Sequence, residues 1–131
     1  MIARVLPRVL LVDDHEGLLQ AWRRLLAPSC VIVGAVMTGV EALARADESR
    51  PDVVVLDNFL PDGIGIALCP KFRAIAPHVR VVLVSGDDDE NTVSAALRAG
   101  ASEFVAKSCS GAELERAIGR AFNGAPNDQH E

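Results

Sequence analysis

Pro51-Asp-Val-Val-Val-Leu-Asp57-Asn-Phe-Leu-Pro-Asp-Gly-Ile-Gly65 holds four consecutive apolar residues, three of them β-branched, followed at once by a carboxylate. A short apolar run without alternation is the pattern of a strand buried on both faces, as in a parallel sheet. The run stops at Asp57, and Pro61-Asp62-Gly63 then reads as a turn. The Asp57 carboxylate is thereby set at the carboxyl end of a buried strand, where open α/β sheets bind their ligands. A lone charge there is costly unless another group answers it.

Working outward, Arg8 to Val12 contains Val-Leu-Leu-Val, a first strand ending in Asp13-Asp14. Leu18, Trp22, Leu25 and Leu26 recur at helical spacing and predict a first helix ending near Pro28, with Trp22 in the core. Val31 to Val36 is a second strand. Thr38-Gly-Val-Glu41 fits a capping box that opens a second helix running to about Ala46. Beyond the central run, Leu68, Phe72 and Ile75 mark a third helix. Pro70 falls inside it, so that helix is expected to be kinked or to start late with Pro70 in its first turn. Arg80 to Val84 is a fourth strand ending at Ser85-Gly86, and Asp87 to Glu90 is an acidic loop or helix start. Val93, Ala96 and Leu97 are expected to face inward, with Gly100 as C-cap. Glu103 to Ala106 is a fifth strand ending at Lys107. Ser110-Gly-Ala-Glu113 is a second capping box, opening a helix with Leu114, Ala117, Ile118, Ala121 and Phe122 on its apolar side.

Strands alternating with helices predict an α/β fold: a single five-stranded parallel sheet, order 2-1-3-4-5, flanked by five helices. One domain over 1–123 and a frayed polar tail over 124–131 account for all 131 residues. No apolar run approaches the roughly 18 residues of a membrane span. The N-terminus lacks the apolar core of a signal peptide. Cys30, Cys69 and Cys109 are an odd number without metal-ligand spacing, read as reduced thiols of a cytoplasmic protein. A formal net charge of −5 without a Lys/Arg cluster argues against direct nucleic acid binding by this domain.

The strand ends carry Asp13 and Asp14, Asp57, Ser85 and Lys107, and the predicted order brings them to one sheet edge. Three clustered carboxylates repel and call for a cation. Oxygen ligands in an open pocket suit Mg2+. Lys107 adds a point charge for a phosphoryl oxygen and Ser85 a hydroxyl. A carboxylate nucleophile, a metal and a lysine are the parts that phosphoryl transfer to aspartate requires. His15, beside the acidic pair, reads as a first-turn residue at the pocket rim, and Cys109 as a loop residue without a special role.

Leu-Val-Asp-Asp at 11–14, Pro-Asp-Val-Val-Val-Leu-Asp at 51–57, Leu-Pro-Asp-Gly-Ile-Gly at 60–65, Val-Ser-Gly at 84–86, Gly-Ala at 100–101 and Phe-Val-Ala-Lys at 104–107 stand in order. With them the chain, from about Arg8 to Phe122, resembles the receiver domain of bacterial two-component response regulators. The resemblance implies Asp57 as phosphoacceptor, with Asp13, Asp14, Asp57 and the Phe59 backbone carbonyl holding magnesium. It implies Lys107 on the phosphoryl group, and Ser85 and Phe104 as the switch. The implied donor is a sensor histidine kinase or histidine phosphotransfer protein, or a small donor such as acetyl phosphate. The implied output is a protein partner bound at the face of the fourth helix, fifth strand and fifth helix, with homodimerisation left open. Such a domain catalyses only its own phosphorylation and dephosphorylation. Some positions depart from the family. Ser108 stands where proline is usual, commonly after a cis peptide; Ile64 where Asp or Asn is frequent; Phe104 for the commoner tyrosine. Phe59 and Asp87 occupy the positions that tune phosphoryl lifetime.

Other readings use the same residues. A degenerate receiver would only bind partners. The chain is also compatible with the N-terminal part of a DNA-binding regulator, since Asp-Asp-His at 13–15 resembles the receivers of such proteins. A phosphatase of the haloacid-dehalogenase type wants a second Asp two residues after the nucleophile, where this chain has Phe59. No GxGxxG follows the first strand, which disfavours a dinucleotide site.

Overall fold

A computed structural model describes residues 5–87 and 89–124. The expected tail lies, from residue 125 on, outside the described residues, as does Asp88 of the acidic loop. Five strands make the main sheet: β1 (Arg8–Val12), β2 (Val31–Val36), β3 (Val53–Asp57), β6 (Arg80–Ser85) and β7 (Glu103–Ala106). They are all parallel, in the order β2-β1-β3-β6-β7, which is the expected 2-1-3-4-5. Between them run α1 (Glu16–Leu26), α2 (Gly39–Ser49), α3 (Gly65–Ile75), α4 (Glu90–Ala99) and α5 (Gly111–Asn123). A two-stranded antiparallel hairpin, β4 (Phe59–Leu60) with β5 (Gly63–Ile64), was not expected; it brackets the predicted Pro-Asp-Gly turn.

The apolar runs are two-sided because successive residues serve opposite layers. Val9, Leu11, Val53, Val55, Val82 and Val84 pack with Leu19, Trp22 and Leu26 of α1 and Leu114, Ala117, Ile118 and Ala121 of α5. Leu10, Val12, Val54, Leu56, Val81 and Leu83 pack on the other side with Ala42 and Ala46 of α2, Cys69 and Phe72 of α3 and Ala96 of α4. Every residue of β3 is buried.

Several local expectations change. Leu25 is 40% exposed, and Leu19 takes the core position instead. Likewise Leu97 is exposed; Ala96 is the buried residue of α4 and Val93 is only partly covered. Neighbouring apolar positions satisfy helical spacing equally well, and the layer beneath selects between them. The third helix does not start late: it begins at Gly65 and runs through Pro70. The proline forfeits its own bond to the preceding turn, and buried Cys69 and Phe72 anchor the helix on either side of it. The second helix passes Ala46 and ends at Ser49. Arg50 then adopts a left-handed backbone with φ of 48°, its N–H bonded to the Ala46 carbonyl. The Arg8 guanidinium donates to the free carbonyls of Ser49 and Arg50 at 2.6 and 2.8 Å. No peptide bond among the described residues is cis, so the one before Ser108 is trans.

Of the two capping boxes, the one opening α5 is complete. In α2 the Thr38 hydroxyl accepts from the Glu41 amide at 3.1 Å, but the Glu41 carboxylate reaches the Met37 amide, not that of Thr38. Ser110→Ala is expected to cost about 1 kcal/mol, read as a lowered urea midpoint with an unchanged slope. An unchanged midpoint would mean that the box contributes nothing.

Candidate functional site

The carboxyl ends of β1, β3, β6 and β7 converge as the topology requires. The Asp13 backbone is held by its N–H to the Val36 carbonyl at 3.1 Å. Its side chain is fully buried, and Oδ1 accepts the His15 amide at 2.8 Å. Asp57 is 2% exposed. The Lys107 ammonium joins the two carboxylates: Nζ donates to Asp57 Oδ2 at 3.1 Å and lies 3.0 Å from Asp13 Oδ2. Asp57 Oδ1 has only a long contact, 3.4 Å, from the Phe59 amide. Lys107 is delivered by its own backbone, whose N–H donates to the Ser85 carbonyl at 2.8 Å.

Asp14 is half-buried and meets the cluster through His15, whose Nδ1 is 3.2 Å from Asp13 Oδ1 and 3.2 Å from Asp14 Oδ1. His15 is the N-cap of α1, one position before the first turn, and its side chain is exposed. Ser85 is buried, and its hydroxyl accepts the Asp87 amide at 3.1 Å. Phe104 stands apart from the polar cluster, packed against the layer formed by α2, α3 and α4. Phe59 is 58% exposed and stands opposite exposed Ile64 in the hairpin register.

Burial pushes the Asp57 carboxyl up, the Lys107 hydrogen bond opposes this, and the charge of Asp13 adds to the rise. Burial pulls the Lys107 ammonium down, but the two carboxylates outweigh it and its pKa is raised overall. The cluster therefore stays short of positive charge, with three carboxylates against one lysine. Asp13 Oδ2 is buried with the Lys107 ammonium 3.0 Å away. Three carboxylates answered by one lysine fit a hard divalent cation held by oxygen ligands.

Two polar residues escaped the reading of the sequence. Asn58 is buried; its carbonyl accepts the Gly65 amide at 2.7 Å and its side-chain oxygen the Ile66 amide at 3.0 Å. It thereby fixes the start of α3 against the end of β3. Asp62, in the hairpin turn, accepts the Gly39 and Val40 amides of α2 at 2.8 and 3.0 Å. Those two bonds hold its carboxyl below the usual range. The only signal for Asn58 was adjacency to Asp57, and Asp62 read as an ordinary turn residue.

Gly65 packs with no room for a side chain: a Cβ there would lie 2.6 Å from the Asp57 carbonyl oxygen and 3.0 Å from Asn58 Cα. Both neighbours are backbone, so relief must displace the end of β3 itself. Gly65→Ala is expected to cost about 2 kcal/mol, measured by urea unfolding. An unchanged midpoint would show that the strand end yields freely.

Residues 9–119 match the family model described as "Response regulator receiver domain". The DNA-binding transcriptional activator DevR/DosR of Mycobacterium tuberculosis is 40% identical over 113 residues, which are 85% of this chain and 52% of that protein. The chain thus spans about half the length of that relative. The signal receiver domain of the putative response regulator NarL from M. tuberculosis superposes with a TM-score of 0.86 at 30% identity, covering 92% of this chain and 98% of that one. A LuxR-family two-component response regulator from Aurantimonas sp. gives 0.84 at 32% identity, covering 90% and 86%.

Proposed function

The chain belongs to the receiver-domain family of two-component response regulators, and we propose that it is a phosphorylation switch with Asp57 as its acceptor. The observation that carries the reading is the Lys107 ammonium held between buried Asp13 and buried Asp57 at 3.0 and 3.1 Å. Asp13, Asp14, Asp57 and the Phe59 carbonyl would hold Mg2+, which when bound supplies positive charge for the phosphoryl oxygens. Each remaining part falls to a residue of this chain. A carboxylate oxygen of Asp57 forms the O–P bond while the donor's P–N bond breaks, the electron pair leaving with the imidazole nitrogen. Lys107, already poised on the acceptor, takes up charge on the transferred group. Ser85 offers a hydroxyl from the adjacent strand end, and Phe104 follows as the second element of the switch.

The donor is proposed to be a phosphohistidine on a sensor kinase or phosphotransfer protein. The output is proposed to be a protein partner at the face of α4, β7 and α5, selected by population shift. The net charge of −5 supports the absence of direct nucleic acid contact by this domain. Its chemistry is confined to its own acceptor, so it is proposed not to turn over a separate substrate. Cys30 and Cys69 are buried and Cys109 half-buried, all as free thiols, and no described helix is long and apolar enough to cross a membrane. Both observations suit a cytoplasmic setting.

Incubation with acetyl phosphate and Mg2+, followed by intact mass, tests the acceptor. One added phosphoryl group, lost with EDTA and lost in Asp57→Ala, is the expected result. No adduct with acetyl phosphate or with a cognate kinase would leave a domain that only binds partners.

A further inference from the structure

Resting on the metal role proposed for the Phe59 carbonyl, we propose that Asp62 is a positioning residue of the same site. It ties the tip of the β4–β5 hairpin to the start of α2 and so fixes the backbone that offers that carbonyl to Mg2+. Asp62 lies three residues beyond Phe59, in the turn between the two short strands. Its Oδ1 accepts the Gly39 amide at 2.8 Å and its Oδ2 the Val40 amide at 3.0 Å. Both oxygens are thus engaged by the end of one neighbouring helix. Those amides have no acceptor within α2 itself, and a carboxylate placed there also gains from the helix dipole.

Among the described residues, the other supports of the hairpin are few. Its base is closed by the Gly65 amide on the Asn58 carbonyl at 2.7 Å, and Leu60 is buried. Phe59 and Ile64, opposite each other, are both exposed, so neither side chain anchors its strand. The Phe59 amide has its 3.4 Å contact to Asp57 Oδ1. Gly63, next in the turn, adopts a φ of 153°, and a Cβ there would meet nothing within 4 Å. Strands of two residues each do not hold a hairpin by themselves. Without the tether the turn is free to pivot at Gly63, and the Phe59 carbonyl pivots with it. A metal that needs one arrangement of the loop loses affinity by the fraction of time the loop spends in others. Asp62 is itself exposed, so its two bonds order the loop without being part of the core.

Mg2+ is titrated into the unaltered chain, Asp62→Ala and Asp62→Asn, and binding is read from the Asn58, Phe59 and Leu60 amide signals in two-dimensional NMR. Groups hydrogen-bonded directly to metal ligands are worth about 10–100-fold in affinity; Asp62 acts one step further out, so Asp62→Ala is expected to raise the Mg2+ Kd about fivefold. Asparagine keeps an oxygen for the Gly39 amide and gives up the bond from Val40, so its Kd is expected to fall between those of the unaltered chain and the alanine variant. The rate of adduct formation from acetyl phosphate lost in Asp62→Ala is expected to return as Mg2+ is raised. Thr38→Ala removes the cap on the Glu41 amide of the same helix start and leaves the hairpin tether in place. It is expected to keep the Mg2+ affinity, which separates the tether from a general loosening of α2. An unchanged Kd in Asp62→Ala, equal weakening by alanine and asparagine, or equal weakening in Thr38→Ala each overturns the proposal. The second of these would assign the effect to lost charge. If the unaltered chain binds Mg2+ and takes up its phosphoryl group, and Asp62→Ala binds Mg2+ equally well, this inference alone falls. If the unaltered chain binds no Mg2+, the metal role of the Phe59 carbonyl falls with it.

Discussion

Lys107→Met is expected to cost the fold about 3 kcal/mol at neutral pH without a divalent cation. Among the described residues, Lys107 is the cation that touches Asp13 and Asp57, and both carboxylates are buried. Methionine keeps most of the volume and removes the charge, leaving two like charges facing each other out of water. The penalty has a definite pH dependence. Asp57 already has a raised carboxyl pKa in the folded state, and losing its lysine hydrogen bond raises it further. A folded pKa above the unfolded one contributes stability at low pH that is lost as pH rises through the folded value. The variant should therefore lie close to the parent in acid and fall increasingly below it towards neutrality. Mg2+ should return part of the loss, because an ion bound only by the native state stabilises it by mass action. Urea unfolding at pH 5 and pH 7.5, with and without Mg2+, reads all of this. A deficit equal at both pH values would show that the lysine acts by packing and not by charge.

Asp57→Asn should move stability the opposite way while removing function. The carboxylate is the proposed acceptor and an amide cannot take its place, so no adduct is expected under conditions tested to phosphorylate the parent. At the same time one of two adjacent buried charges disappears, and Lys107 keeps Asp13 as its partner. Neutralising such a site gains about 1 kcal/mol at neutral pH. The gain should shrink in acid, where Asp57 of the parent is itself protonated. A variant that is more stable and inert fits a site selected for charge density at the expense of the fold. A variant that still takes up one phosphoryl group would place the acceptor elsewhere.

Both results turn on charges that could be named from the sequence. The apolar runs 9–12, 53–56, 81–84 and 104–106 could be read because parallel strands bury apolar side chains on both faces, and the strand ends followed from them. Asp13, Asp57, Ser85 and Lys107 meet because each directly follows such a run, and sheet order does the rest. What could not be read depended on contacts between segments distant along the chain. Leu18, Leu19, Leu25 and Leu26 all fit helical spacing in part, and only the β1 and β3 side chains beneath α1 select Leu19 and Leu26. Pro70 signals a kink or a late start, yet α3 begins at Gly65, ahead of it, with Cys69 and Phe72 buried on either side. The β4–β5 hairpin has strands two residues long, too short for any period to appear. Asn58 and Asp62 act on the first amides of helices begun by other residues, and no local spacing announces such a bond.

The Asp62 contact has a consequence in time as well as in space. The first amides of a helix have no acceptor within it, and on a protein surface such amides normally exchange their protons freely. In α2 the first two are held by Asp62, a residue of the hairpin 22 and 23 positions away in sequence. The third is held by Thr38 within its own segment. Deuterium uptake at Gly39 and Val40 therefore reports how often the hairpin lets go, with Glu41 as the internal control. Protection of the first two lost while the third keeps its own would mark release of the loop that carries Phe59, with α2 itself intact.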